Sequence, residues 1–230
     1  MSVNISRDRR LRVPLKVTYK VIITNPDGSI AKVIESTQED PFTYDFVWLF
    51  YGSMIAPSQS IDIPDVAGTE LFLFTPGVPS GYTGPAVAIP YPGYTLCLIN
   101  CPGTPNVPYK LKLPGIWLFS TPFSGQPQVS TIYSSLITNI TYYTPSISPS
   151  IAATVGTTNT ITITQNFTNT SGSPITIYSF AVVAALYPVT SSGLAGTPYF
   201  IDISYFNLST AVVWSPAAGM TVQVTFQVPT

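Results

Sequence analysis

At 230 residues the chain is long enough for one large β domain or two smaller ones, either able to bury about 70% of its unfolded surface. Only 8% of its residues are charged and histidine is absent, against about 25% charged in an ordinary soluble domain; Ser-His-Asp and Cys-His catalysis are therefore excluded. The net charge of −1 provides no overall field for nucleic acid, and no apolar run reaches the ~20 residues of a membrane-spanning helix.

Charge is also unevenly placed. All nine Lys and Arg, and nine of the ten carboxylates, lie at or before Lys112, leaving Asp202 alone beyond it. Residues 1–12 form a basic arm with Arg7, Arg9, Arg10 and Arg12 against Asp8, continued by Lys16 and Lys20. Such an arm suits nucleic acid, an acidic partner or a lipid headgroup, or is simply a solvated terminus. It lacks the apolar core of a secretory signal, so export by that route is not expected.

Residues 13–37 predict a β-hairpin. Val13, Leu15, Val17, Tyr19, Val21 and Ile23 alternate with polar partners. Asn25-Pro26-Asp27-Gly28 supplies the turn, and Ile30 to Ile34 returns. Over 42–55 the period changes: Phe42, Phe46, Leu49, Phe50 and Met54 share a helical face behind an Asp40-Pro41 cap, predicting a short helix.

Eleven prolines between Pro76 and Pro127 forbid long helices and central strands there. Short strands are expected around Thr69–Phe74, Tyr94–Ile99 and Lys110–Phe119, and Pro90 to Tyr94 reads as a rigid turn. Cys97 and Cys101 are the only cysteines. Without histidine they cannot complete a zinc site in one chain, and they form either a local disulfide or two free thiols.

From residue 131 the pattern is all β. Thr160–Thr168 alternates strictly, Thr170–Ser173 turns, and Ile175–Tyr187 returns as a continuously apolar, buried strand. Tyr199–Phe206, Ala211–Trp214 and Met220–Val228 follow. The resulting expectation is an all-β protein, a β-sandwich of jelly-roll or immunoglobulin-like type. Its parts are the arm 1–12, a hairpin, helix and Pro/Gly-rich region 13–130, and the sandwich portion 131–230, the last two separate or continuous.

Chemistry-bearing constellations are sparse. Glu35, Glu39, Asp40, Asp45, Asp62, Asp65 and Glu70 include enough carboxylates for a glycosidase-like pair, yet they flank a hairpin and a loop, where solvated charge is the usual reading. Asp62 and Asp65 alone make a poor calcium site. No phosphate-binding glycine loop occurs. The expectation is a non-enzyme with no metal and no cofactor. Asn4, Asn139, Asn166, Asn169 and Asn207 begin Asn-x-Ser/Thr sequons, and glycans there would supply hydration that charge does not. Trp117, Tyr142 and Tyr143 are the candidates for an exposed sugar-binding platform.

Few carboxylates leave few native ion pairs to lose in acid, so this composition suits hot or acidic surroundings, or packing against identical neighbours. Phe167-Thr-Asn-Thr-Ser-Gly-Ser-Pro-Ile-Thr-Ile177 and Ala218-Gly-Met-Thr-Val-Gln-Val224 resemble the C-terminal sandwich pattern of phage and archaeal-virus virion proteins. The hairpin with Asn25-Pro-Asp-Gly28 and the aromatic segment after it are similar to their layout. The chain departs from that pattern at Ser179-Phe-Ala-Val182 and Ser204-Tyr205, where such proteins carry Glu-x-Gly-Leu and Arg-Asp. Its charge-poor, Tyr-rich, sequon-bearing texture is most similar to proteins of hyperthermophilic archaeal viruses.

The resemblance implies a thermophile virion glycoprotein: a homo-oligomeric capsid, vertex or appendage protein, made in host cytoplasm and functioning outside the cell. Its partners would be copies of itself, other virion proteins, and nucleic acid or another internal partner through the arm. The rival readings are a surface filament or sheath subunit assembled by strand exchange, and a carbohydrate-binding module.

Overall fold

The computed structural model describes residues 16–39, 41–43, 61–64, 70–74, 86–88, 96–97, 114–125, 135–150, 158–186, 189–190, 193–194 and 199–228. The strands are β1 (Lys16–Thr24), β2 (Ile30–Glu39), β3 (Ile61–Pro64), β4 (Glu70–Phe74), β5 (Ala86–Ala88), β6 (Leu96–Cys97), β7 (Gly115–Phe119) and β8 (Thr141–Tyr142). Then come β9 (Ser146–Ser150), β10 (Asn159–Thr168), β11 (Ile175–Leu186), β12 (Val189–Thr190), β13 (Gly193–Leu194), β14 (Tyr199–Trp214) and β15 (Gly219–Val228).

Two antiparallel sheets carry the core. The front sheet runs β2-β1-β15-β10, with β8 and β9 sharing the far edge of β10; the back sheet runs β14-β11, with β6 and β7 sharing the far edge of β11. Among the described residues, strands β3-β4-β5 and β12-β13 form two smaller sheets, not hydrogen-bonded into these. The hairpin strand β1 pairs with β15 along its whole length, Lys16 opposite Gln227 to Thr24 opposite Gly219. Strands β1 and β2 thus belong to the same sheet as β15 and β10.

Alternation decides what each strand buries. Val17, Tyr19, Val21 and Ile23 of β1 and Met220, Val222 and Val224 of β15 point inward, meeting Ile177, Phe180, Val182, Phe206, Val212 and Trp214 of the back sheet. Each such side chain contributes about 1.5–3 kcal/mol on burial. Tyr19 links the layers: its ring makes edge-to-face contacts with Phe180 and Phe206, with centroids 5.2 and 5.6 Å apart, and its hydroxyl donates to the Asn207 carbonyl at 3.2 Å. Strand β7 and residues Phe180–Ala185 of β11 are buried on both faces, which explains their unbroken apolar sequence.

Two expectations need revising. Phe42, the first residue of the predicted helical face, forms an antiparallel bridge with Ser204. Thr43 N–H donates to Ile203 O at 3.0 Å, and Tyr205 N–H to Pro41 O at 3.1 Å. Phe42 also stacks on Phe226 at 5.9 Å, so an inward aromatic and edge pairing outweigh the helical period here. Residues 44–55 lie outside the described residues. The separate strands expected at Tyr199–Phe206 and Ala211–Trp214 are one strand, β14. The break between them is a register jump: Ile177 faces Val212 while Ser179 faces Asn207, two steps on β11 against five on β14. The extra residues form a bulge.

Candidate functional surface

The two sheets are joined by a folded ribbon. Strands β10 and β15 pair in the front sheet down to Thr168 opposite Gly219, and their continuations β11 and β14 pair in the back sheet from Ile175 opposite Trp214. Both chain crossings therefore sit at one corner. Asn169 holds it: its Nδ2 donates to Ser173 O and Trp214 O, each at 2.9 Å, and its Oδ1 accepts from Ser171 N–H and Oγ. Its backbone N–H donates to Ala218 O, and its carbonyl accepts from Ala217 N–H. The Trp214 indole N–H reaches Ala218 O at 3.0 Å.

This placement sorts the sequons. Asn169 is 1% exposed, with its amide enclosed by these bonds, so the folded domain does not offer it to a glycosylating enzyme. Asn207 grips the Phe123 backbone, accepting from its N–H at 2.8 Å and donating to its carbonyl at 2.9 Å. Asn139 and Asn166 are exposed, and Asn166 Oδ1 accepts from Thr221 Oγ1 at 2.7 Å. Asn4 lies outside the described residues.

The outward face of the front sheet is a polar lattice. One row reads Thr37, Thr18, Thr225, Thr162, Ser148 across five strands. Hydroxyls pair within it at 3.0 Å, Thr18 with Thr37 and Thr162 with Thr225. The next row reads Glu35, Lys20, Gln223, Thr164, Ser146. Charge on this face is confined to the hairpin: Lys16 faces Glu39, and Lys20 faces Glu35 with Nζ 4.0 Å from the carboxylate. Arg7, Arg9, Arg10 and Arg12 lie outside the described residues.

Asp202, the lone charged residue beyond Lys112, is 3% exposed. Its carbonyl accepts a bond from the Thr43 hydroxyl. The described surface of that half is consequently without any charged side chain, and it is hydrated by hydroxyls and amides.

The sugar-platform candidates do not form a platform. Trp117 is 1% exposed, because β7 is covered on both faces. The Tyr142 hydroxyl donates to Ile137 O at 2.6 Å, and burial pushes its pKa well above the ordinary phenol range. Tyr143 alone is open, at 48%.

Of the glycosidase candidates, Glu35 and Glu39 stand exposed on β2 facing lysines. Asp62 and Glu70 belong to β3 and β4, opposite Phe72 and Pro64, and Asp40, Asp45 and Asp65 lie outside the described residues. Among the described residues no three His, Cys, Asp or Glu side chains are grouped to hold a metal. Cys97 ends β6 opposite Ala185, while Cys101 lies outside the described residues. No helix among those residues is long and apolar enough to cross a membrane.

The sheet edges differ. Strand β9 is five residues with Pro149 inside it, and β14 is partly closed by Pro41–Thr43. Strand β2 has ten residues, neither Pro nor Gly, and among the described residues it pairs with β1 alone. Such an edge presents unpaired backbone groups to a further strand. No protein-family model matches this chain, no curated protein matches it, and no solved structure matches it.

Proposed function

We propose that this chain is a structural, non-enzymatic subunit of a virus particle, one copy among many in a shell, vertex or appendage. The observation that carries the reading is the uncharged outer surface of residues 113–230 on a sandwich built from a folded ribbon. Ribbons of this kind are the elements from which jelly rolls are wound, a fold used by capsid and lectin domains. A surface of hydroxyls and amides keeps its hydrogen-bonding character as pH falls, because it has no carboxylate to protonate. It also lies against an identical neighbour without like-charge repulsion. Asn139 and Asn166 are the exposed positions at which sugar would add hydration.

In this account the chain is made in the host cytoplasm and acts outside the cell after release. The resemblance in sequence at Phe167–Ile177 and Ala218–Val224 and the charge-poor composition favour a virus of a hot, acidic habitat. The test is to purify extracellular particles from the source culture and treat them with nuclease. Peptides of this chain should co-sediment with protected nucleic acid. Their recovery only from cell envelopes contradicts the reading.

The open edge of β2 favours one second reading, a surface filament or sheath subunit that assembles by strand addition. Filaments without nucleic acid in the same preparation would select it.

A further inference from the structure

We propose that the outer edge of β2 accepts the basic arm, residues 1–12, of a second copy of this chain as an added strand of the front sheet. The inference rests on the assembly reading above and supplies its contact. Strand β2 is the longest described edge without a proline or a covering segment, and it is exposed at Ile30 (64%) and Val33 (47%). Main-chain bonding to such an edge supplies affinity, and the side chains supply selectivity.

Charge identifies the occupant. The outward face of β2 carries Val33, Glu35, Thr37 and Glu39 in alternation. The Lys20–Glu35 pair is loose, at 4.0 Å with both side chains about half exposed, so the carboxylates retain capacity for a second cation. The arm offers Arg7, Arg9, Arg10 and Arg12 against Asp8. Val3, Ile5, Arg7 and Arg9 share one face of an extended strand. A parallel run lays the apolar start of that face near Val33 and its arginines near Glu35 and Glu39.

A two-fold pairing of β2 with β2 does not offer this. Cross-strand neighbours in one sheet share a face, so Glu35 and Glu39 would meet Val33, Thr37 or each other, and never Lys32. Like charges directly opposite are destabilising. The arm is the complementary partner within the chain.

The experiment is light-scattering chromatography of the full chain and three variants. These are deletion of residues 1–12; Glu35→Arg with Glu39→Arg; and Arg7, Arg9, Arg10 and Arg12 each changed to Glu. Far-UV circular dichroism checks that each is folded. The full chain should associate, each variant should raise the apparent dissociation constant at least tenfold, and mixing the two charge-reversed variants should restore association. If the β2 variant misfolds, the two arm variants decide. Association untouched by the deletion, as when a copy's own arm fills its own edge, overturns this contact and leaves the assembly reading standing. A full chain that stays monomeric at every concentration overturns both.

Discussion

The side-chain nitrogen of Asn169 donates to the backbone oxygen of Trp214 across 2.9 Å, tying the β10–β11 crossing to the end of β14. A second bond from the same nitrogen, to Ser173 O, means that one buried amide holds both crossings of the ribbon. Replacing Asn169 with Ala leaves those carbonyls without that donor, at about 1–3 kcal/mol for each group left unsatisfied. Asn169→Asp is nearly isosteric but turns a carboxylate toward two carbonyl oxygens, and it should cost more than Ala. Urea denaturation of both variants checks this; equal midpoints for wild type and Asn169→Asp would remove the clamp from the account.

Gly115 is needed at the start of β7. Its φ is +137°, and a Cβ there would lie 2.6 Å from Gln165 Oε1. That oxygen accepts the Ile116 N–H, while Gln165 Nε2 donates to Tyr143 O at 2.9 Å. Gly115→Ala should therefore cost about 2 kcal/mol or more through backbone strain and a displaced buried amide. A thermal midpoint unchanged from wild type contradicts the close approach.

Ala217 is the one described non-glycine residue in the left-handed region, at φ 59°. It is exposed, with its N–H bonded to Asn169 O. Glycine there relieves about 1 kcal/mol of steric cost but adds unfolded-state entropy of similar size. Ala217→Gly should be neutral to slightly stabilising, whereas Ala217→Val should be destabilising. A calorimetric scan separates them, and the reverse order is incompatible with the observed backbone.

Acid and alkali should act at different places. Asp27 accepts from the Ser29 hydroxyl and N–H, which hold its pKa below the ordinary 3.8. A lowered carboxylate contributes stability above its unfolded pKa and loses it as pH falls through the lower, folded value. Tyr142 is raised by burial, so its contribution is complete below the ordinary 10.0 and is lost as pH climbs beyond it. No histidine titrates between them. The thermal midpoint should stay within about 3 °C from pH ~4 to ~9. The gap between wild type and Asp27→Asn should close in stronger acid. A broad decline across that plateau counts against the low-charge account.

Strands with one buried face were readable from alternation alone: Thr160–Thr168 and Met220–Val228 match β10 and β15 closely. The later part of β11, Phe180–Ala185, was readable as a continuous apolar run because both its faces are covered there, whereas Tyr178 before it is 38% exposed. The corner was not. Asn169-Thr-Ser satisfies a sequon, and the same short polar side chain closes an Asx-turn over Asn169–Ser171; the turn chemistry was the signal that separates the two. Phe42 shows the opposite limit: it bridges Ser204 on an edge that only the folded β14 supplies, while the rest of the predicted helix lies outside the described residues. Burial of Trp117 likewise depends on layers that its local sequence does not encode.

Assembly is the central claim, and electron microscopy of the purified full chain, at neutral pH and near pH 3, tests it most directly. The account predicts regular particles, sheets or rings built from repeating subunits, with the same form at both pH values. A field of separate molecules of 24.8 kDa, unchanged on concentration, would contradict it.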